Sequence, residues 1–464
     1  MTMHRTTESG ATARQVRTIL QALAVFVIAA CGGERGNTRT VFVGGNLWDG
    51  SGGPPILNAV VVVADGHIEA AGPPDAVDVP RGAEEVRLDG KWIIPGLIDA
   101  HAHATRWTLP RFLAYGVTSL RDMGGPNDSV FALRDAMALG SLAGPRLFVS
   151  GAAIDRAPNG QSGVTEVTTP DEARRAIDDR ILRDASQATA LPRIDQRLLT
   201  AILDEARTVG LRVAGHLGKV DALTAAKMGL ASIEHLSGIV EAAVADPGPL
   251  FRAHDDPVTG WSASERAWGD LDSARLDGLS RALKETGVAL VPTLGLHEGW
   301  AHLMDSAYAA ALDLVGVPET VRSAWDLPGL ARRAGLSPEH VAGFRRARPV
   351  QDRLVRLFKA AGGIIAAGSD APNPLLPPGA SLHTELSLLV RAGLTPREAL
   401  LAATRDAARV IGVDSVGMVR AGAVADLVVL AGNPLEDIAN TRRIEQIVYR
   451  GQARSPTELR VLWR

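Results

Sequence analysis

Between residues 96 and 367 the chain repeats one pattern: an apolar run of strand length, a segment with helix signals, then another apolar run. The clearest runs lie at 96–99, 117–121, 146–150, 211–214, 231–234, 288–293 and 364–367. Strands buried on both faces read as continuous apolar runs, and strands separated by helices pair in parallel, so the pattern predicts repeated βα units. Helix openings fall between the runs. Pro170-Asp171-Glu172-Ala173, Asp195-Gln196-Arg197 and Thr395-Pro396-Arg397-Glu398 each offer an N-cap or an early proline where a helix would start. The remaining strand belongs between 171 and 192, where 179–183 is the best candidate. Eight such units close into a TIM-type (β/α)8 barrel, and an α/β fold of this kind is the prediction.

A chain of 464 residues exceeds the roughly 250 that such a barrel needs, so a second module is expected. Both ends supply one. Val41-Phe42-Val43, Ala59-Val60-Val61-Val62-Val63 and the Asp65-Gly66 turn read as antiparallel strands, and so do 426–430 and 444–449 at the far end. The predicted organisation is a small β-sandwich built from 39–94 and 415–464 around a barrel at 95–414. Two connections, 237–287 and 297–350, are longer than a βα unit requires and are expected to wall the barrel mouth.

The first residues are set apart. Arg5, Arg14 and Arg17 precede an apolar stretch, 19–30, which runs into Cys31, the only cysteine. That stretch falls short of the ~20 residues that span a bilayer, and Ile28-Ala29-Ala30-Cys31 resembles a bacterial lipobox. Residues 1–31 are therefore read as a lipoprotein leader with Cys31 as the lipidated residue and 32–38 as a tether. The protein is then exported and lipid-anchored, in the periplasm or at the outer membrane; a plain signal peptide or a signal anchor are the other readings. A net charge of −3 gives no reason to expect nucleic acid, and a small molecule or short peptide is the expected partner.

The residues that carry chemistry sit at the ends of the predicted strands. In Ile98-Asp99-Ala100-His101-Ala102-His103 the two histidines are two apart and face one way, with Asp99 deeper on the same face as a candidate to orient an imidazole. Alone, the pair fits a solvent-facing strand end equally well. Later strands, however, end in His216, His235 and Asp370, and strand ends of a barrel converge on one site. Three imidazoles and a carboxylate suit one divalent ion, zinc first and iron second, held by His101, His103, His216 and Asp370. An open coordination position brings bound water toward a pKa of ~7. Asp370 is then also the candidate general base, and His235 the candidate to polarise a substrate carbonyl.

These motifs resemble the amidohydrolase superfamily, specifically its imidazolonepropionase-like and prolidase-like branch, over nearly the whole chain beyond the leader. Trp92-Ile93-Ile94-Pro95-Gly96-Leu97 leading into the histidine pair is similar to the family's entry into its barrel. Gly116-Val117-Thr118-Ser119, Leu382-His383-Thr384-Glu385 and Ala425-Asp426-Leu427-Val428 with Asn433-Pro434 resemble later family segments in the same order. The resemblance implies a metal-dependent hydrolase of amide or cyclic amide bonds. It also implies a lysine ending the fourth strand to bridge two ions, and this chain has no lysine between Lys91 and Lys219. Leu182 or Arg183 falls near that slot, and neither can bridge. The resemblance therefore points to the one-metal arrangement and against a second metal. A deaminase-like enzyme, an Xaa-Pro-type dipeptidase and a non-catalytic envelope binding protein are the alternatives. His297, just past the seventh strand, is a candidate substrate contact. Arg121 and Asp122 read equally well as a structural pair, and His383 and Glu385 as loop caps.

Overall fold

The computed structural model describes residues 39–463. The leader, the tether and Cys31 lie outside the described residues. No helix among the described residues is long and apolar enough to cross a membrane.

Seventeen strands follow in chain order: β1 (Thr40–Leu47), β2 (Ile56–Ala64), β3 (His67–Gly72), β4 (Glu84–Arg87), β5 (Trp92–Pro95), β6 (Leu97–Ala102), β7 (Val117–Asp122), β8 (Arg146–Val149), β9 (Ala153–Arg156), β10 (Val164–Val167), β11 (Ala188–Ala190), β12 (Val213–Gly215), β13 (Ser232–Glu234), β14 (Ala289–Val291), β15 (Leu427–Leu430), β16 (Ile444–Tyr449) and β17 (Gln452–Arg454). The two chain ends do pair, through β5 and β15, which run antiparallel from Leu427 opposite Pro95 to Leu430 opposite Trp92. They form one mixed eight-stranded sheet, ordered β17-β16-β15-β5-β1-β2-β3 with β4 beside β1, in place of the two stacked sheets expected. One sheet suffices because it rolls: Ile68 N–H donates to Ala423 O at 2.8 Å, and His67 bridges Val424. Alternation on β2 then serves two clusters. Val61 and Val63 join Phe42, Leu427, Val429 and Val448 on one side, while Val60 and Val62 join Val41 and Val77 on the other.

The apolar runs between these ends form two parallel sheets, β6-β7-β8 and β10-β9-β11-β12-β13-β14. Their edges are hydrogen-bonded to each other on both sides. Ser186 N–H donates to Val149 O at 2.9 Å, and Ala100 N–H to Ala367 O at 2.9 Å, while Ile365 bridges Leu290 in parallel. The predicted helix starts are formed. Thr169 and Glu172 make a reciprocal capping box before Pro170–Leu182, Thr395 and Glu398 another before Pro396–Ala402, and Asp195 accepts from Leu198 N–H.

One strand differs from expectation. Residues 179–183, predicted as the fourth strand, are instead the end of the helix Pro170–Leu182 and its C-cap Arg183, and the helix's apolar positions Ala173, Ala176 and Ile177 keep helical spacing and are buried. The strand in that slot is β11, only three residues of small side chains, so neither Leu182 nor Arg183 occupies the position where a bridging lysine was sought. Thr189 pairs with Ala214, and Ala214 with Ser232, which places Thr189 on the face shared by Ser232 and Glu234. Thr189 is fully buried, and its hydroxyl has no hydrogen-bond partner.

Candidate metal centre and active site

The five site residues are delivered by four strand ends. His101 lies on β6 and His103 just beyond it, His216 follows β12, His235 follows β13, and Asp370 follows the segment that bridges β14. Close approach of the first and last of these depends on Gly368, where a Cβ would lie 2.6 Å from the His101 Cβ and 2.8 Å from Val291. His235, Thr293 and Asp370 all sit in the left-handed region, with φ of 55°, 46° and 58°. Each costs about 1–3 kcal/mol for a non-glycine residue, and such strain concentrates at functional sites.

Hydrogen bonds fix how the rings are protonated. His101 donates from Nδ1 to Glu234 at 2.7 Å, and His103 from Nδ1 to Gly124 O at 3.2 Å. His235 Nδ1 lies 2.6 Å from the Thr293 hydroxyl, which itself donates to Pro292 O at 2.8 Å and so accepts from the ring. In all three rings this tautomer leaves the Nε2 lone pair free. The His101 Nε2 is buried without a hydrogen-bond partner and lies 3.5 Å from Asp370 Oδ1, which is also 3.2 Å from His103 Nε2. Lone pairs of two imidazoles thus face a carboxylate, an arrangement that calls for positive charge between them. On His103 a proton on Nε2 can answer that call: burial opposes charging the ring, but the hydrogen bond and charge of Asp370 outweigh it and raise the ring to about 9. Burial lowers His216 to about 3, and it drives His235 well below the ordinary range. Buried rings kept neutral are suited to bind a cation.

The ligand atoms fall into two groups, each within 4.8 Å: His101 with His103 and Asp370, and His101 with His216 and His235. The four expected ligands therefore do not form a single group; His216 pairs with His235 instead of joining His103 and Asp370, and His101 is common to both.

Three expectations change with the geometry. Asp99 was expected to orient an imidazole, but it accepts the backbone N–H of His101 at 3.2 Å and of Ser369 at 2.9 Å, tying the first strand to the last. The ring partner of His101 is Glu234. His297 is buried, with Nδ1 3.0 Å from Glu265 and Nε2 3.1 Å from the His235 carbonyl, so both nitrogens are committed inside the protein and neither is left for substrate. Arg121 is no surface pair: it pairs with Glu234 at 3.1 Å, donates to Ser232 Oγ at 2.9 Å and contacts Gln187, all buried beneath the histidines. Burial alone would raise Glu234, but Arg121 and His101 hold it down to about 2. Glu234, Gln187 and Thr293 carried no sequence signal beyond lying in or beside predicted strands. His383 bonds Thr441 and the Tyr115 carbonyl, and Glu385 accepts from Gly295 N–H at 2.8 Å, so both tie down loops.

A pocket of about 440 Å³ opens beside His235. Its walls come from both long connections, through Val258 and Trp261 and through Trp300 and Leu330, from Leu296 just before the second, and from Asn373 and Leu375 after Asp370. Asn373 Nδ2 donates to Asp370 Oδ2 at 2.8 Å, so one wall of the pocket also positions the carboxylate.

Comparison with known proteins gives the family. The model of the amidohydrolase family matches residues 92–454. The imidazolonepropionase of Chromobacterium violaceum is 28% identical over 419 residues, covering 85% of this chain and 91% of that protein. Among solved structures, the bottromycin amidohydrolase superposes with a TM-score of 0.68 at 25% identity, covering 91% of this chain and 88% of the other. A Xaa-Pro dipeptidase with methionine in its active site has a TM-score of 0.64 at 21% identity, covering 90% of this chain and 100% of the other. The chain belongs to the amidohydrolase family, and it is a metal-dependent hydrolase of carbon–nitrogen bonds.

Proposed function

We propose that the protein hydrolyses an amide or cyclic amide in a small or peptide-derived substrate with one divalent ion, zinc by preference, on His101, His103 and Asp370, with His216 closing the set. The observation that carries the one-metal reading is the shared His101. Its Nδ1 is taken by Glu234, and its single remaining lone pair serves one ion, so the two ligand groups cannot both draw on it, and without it the second keeps only His216 and His235. Thr189, facing inward from β11, is a neutral hydroxyl and no bridge. The parallel strands and their joined edges support a closed TIM-type (β/α)8 barrel as the frame.

A bound divalent ion supplies the nucleophile by lowering the pKa of water toward ~7. The protein's residues do the rest. Asp370, steadied by Asn373, takes a proton from the attacking water and returns it to the departing nitrogen as the C–N bond breaks and a C–O bond forms. His235, with Nδ1 pinned by Thr293, turns Nε2 toward the substrate carbonyl as it gains negative charge. Export and lipid attachment at Cys31 complete the reading, and mass spectrometry of the mature N-terminus tests them.

The central test is metal content per chain for the wild type and for the His101→Ala, His103→Ala and His235→Ala variants. One ion is expected, lost with His101→Ala or His103→Ala and kept with His235→Ala. Two ions per wild-type chain, or an ion lost with His235→Ala alone, would overturn the arrangement.

A further inference from the structure

The apolar pocket beside His235 has no role in the chemistry itself, and its lining is one-sided. Trp261, Trp300, Leu296, Leu303, Leu330 and Leu375 supply most of it, and among the described residues no Arg, Lys, Asp or Glu side chain lines it. Apart from the indole N–H groups of Trp261 and Trp300, its polar groups are the His235 ring and Asn373, both on the side of the metal ligands. At about 440 Å³ it lies within the roughly 300–1,000 Å³ of cavities that bury small organic ligands. The walls are held in place. The His297 ring, fixed by Glu265, stacks on Trp261 at 5.3 Å, and Trp261 in turn meets the His235 ring edge-on at 6.0 Å.

A group bound here would lie next to the residue read as polarising the carbonyl. A carboxylate or ammonium in this cavity would lose its hydration and meet no counter-charge, a heavy penalty, whereas an aryl or branched alkyl group would exchange water for Trp and Leu surface. Resting on the proposed amide hydrolysis, we infer that the scissile amide carries a bulky, uncharged apolar group on the side that enters this pocket. Zwitterionic dipeptides, whose termini need charged partners, are poor substrates.

Two probes of one shape separate the possibilities: 4-phenylbutanamide and its ring-carboxylated analogue 4-(4-carboxyphenyl)butanamide, titrated into the metal-loaded protein with tryptophan fluorescence as the readout. The neutral amide should bind at least about tenfold tighter. Val258 lines the pocket and is 45% exposed, so Val258→Arg adds a cation at little risk to folding and should shift the preference at least about tenfold toward the carboxylate. Equal or tighter binding of the carboxylate by the wild type, or no shift in Val258→Arg, overturns the inference. In parallel, phenylacetyl, acetyl and Phe-Phe substrates are compared by kcat/KM, with the phenylacetyl amide expected to lead by about tenfold or more. If the neutral probe binds as expected but no amide is cleaved, the hydrolytic reading of the site fails while the pocket stands. If the acetyl amide or Phe-Phe is cleaved as well as the phenylacetyl amide, the pocket inference alone fails.

Discussion

Thr293 and Glu234 show how much of the site rests on residues that would touch neither ion nor substrate. Thr293 accepts from His235 and donates to Pro292, holding the ring in one tautomer from a left-handed backbone. In Thr293→Val the shape is kept and the acceptor lost. Activity should fall roughly 10–100-fold, the usual effect of removing a group that orients a site histidine, with metal content unchanged; loss of the metal would show that Thr293 holds the ion's ligands instead. Glu234 carries a heavier load, since it pairs both with Arg121 and with His101 where all are buried. Glu234→Gln leaves Arg121 charged and unpaired inside the protein, which should cost about 3–5 kcal/mol in chemical denaturation. Replacing both partners together by apolar residues should restore much of that stability, because the unpaired charge is what destabilises.

Helices show the same economy at longer range. The helix Leu294–Ala301 follows directly from Thr293 and carries His297, and its far end is held by Glu298, which accepts from Arg348 at 2.9 Å and also pairs with Arg391. Burial would raise the Glu298 carboxyl, but the hydrogen bonds and charges of these arginines bring it down to about 2. A carboxylate with a lowered folded-state pKa stabilises the fold above its unfolded value, near 4.5, and that stability is lost as pH falls toward about 2. Partial exposure reduces the contribution to about 1–2 kcal/mol. Glu298→Gln should therefore lower stability at neutral pH by that amount and flatten the acid limb between those values, and unfolding curves at a series of pH values check it. An unchanged acid limb would mean that the arginines do not hold Glu298 ionised.

For the whole molecule, the proposed ligands come from three separate strand ends, so an ion held by them would join the start of the parallel strands to their end. A ligand bound only by the folded chain at a hundred times its Kd adds about 2.7 kcal/mol. Chelation should accordingly lower the melting temperature by several degrees, zinc should restore it, and His101→Ala should abolish the response, all readable by calorimetry. Much of this was legible in the linear chain. Apolar runs ending in His101, His216, His235 and Asp370 announce parallel strands that converge on a ligand set, because burial on both faces and right-handed crossovers through helices leave few other folds. The fourth strand was not legible, since Ala188, Thr189 and Ala190 are too short and too small to stand out, while the amphipathic helix before them looked more strand-like. His297 was placed near the site by its position after a strand, but whether its nitrogens face substrate or protein depends on Glu265, 32 residues away in the chain. The order of site residues is local information, set by hydrophobic pattern and strand ends. Which nitrogen holds a proton, which acid lies behind which imidazole and what walls the pocket are settled only when distant segments pack, because hydrogen bonds and charges act over a few ångströms of space whatever the distance along the chain.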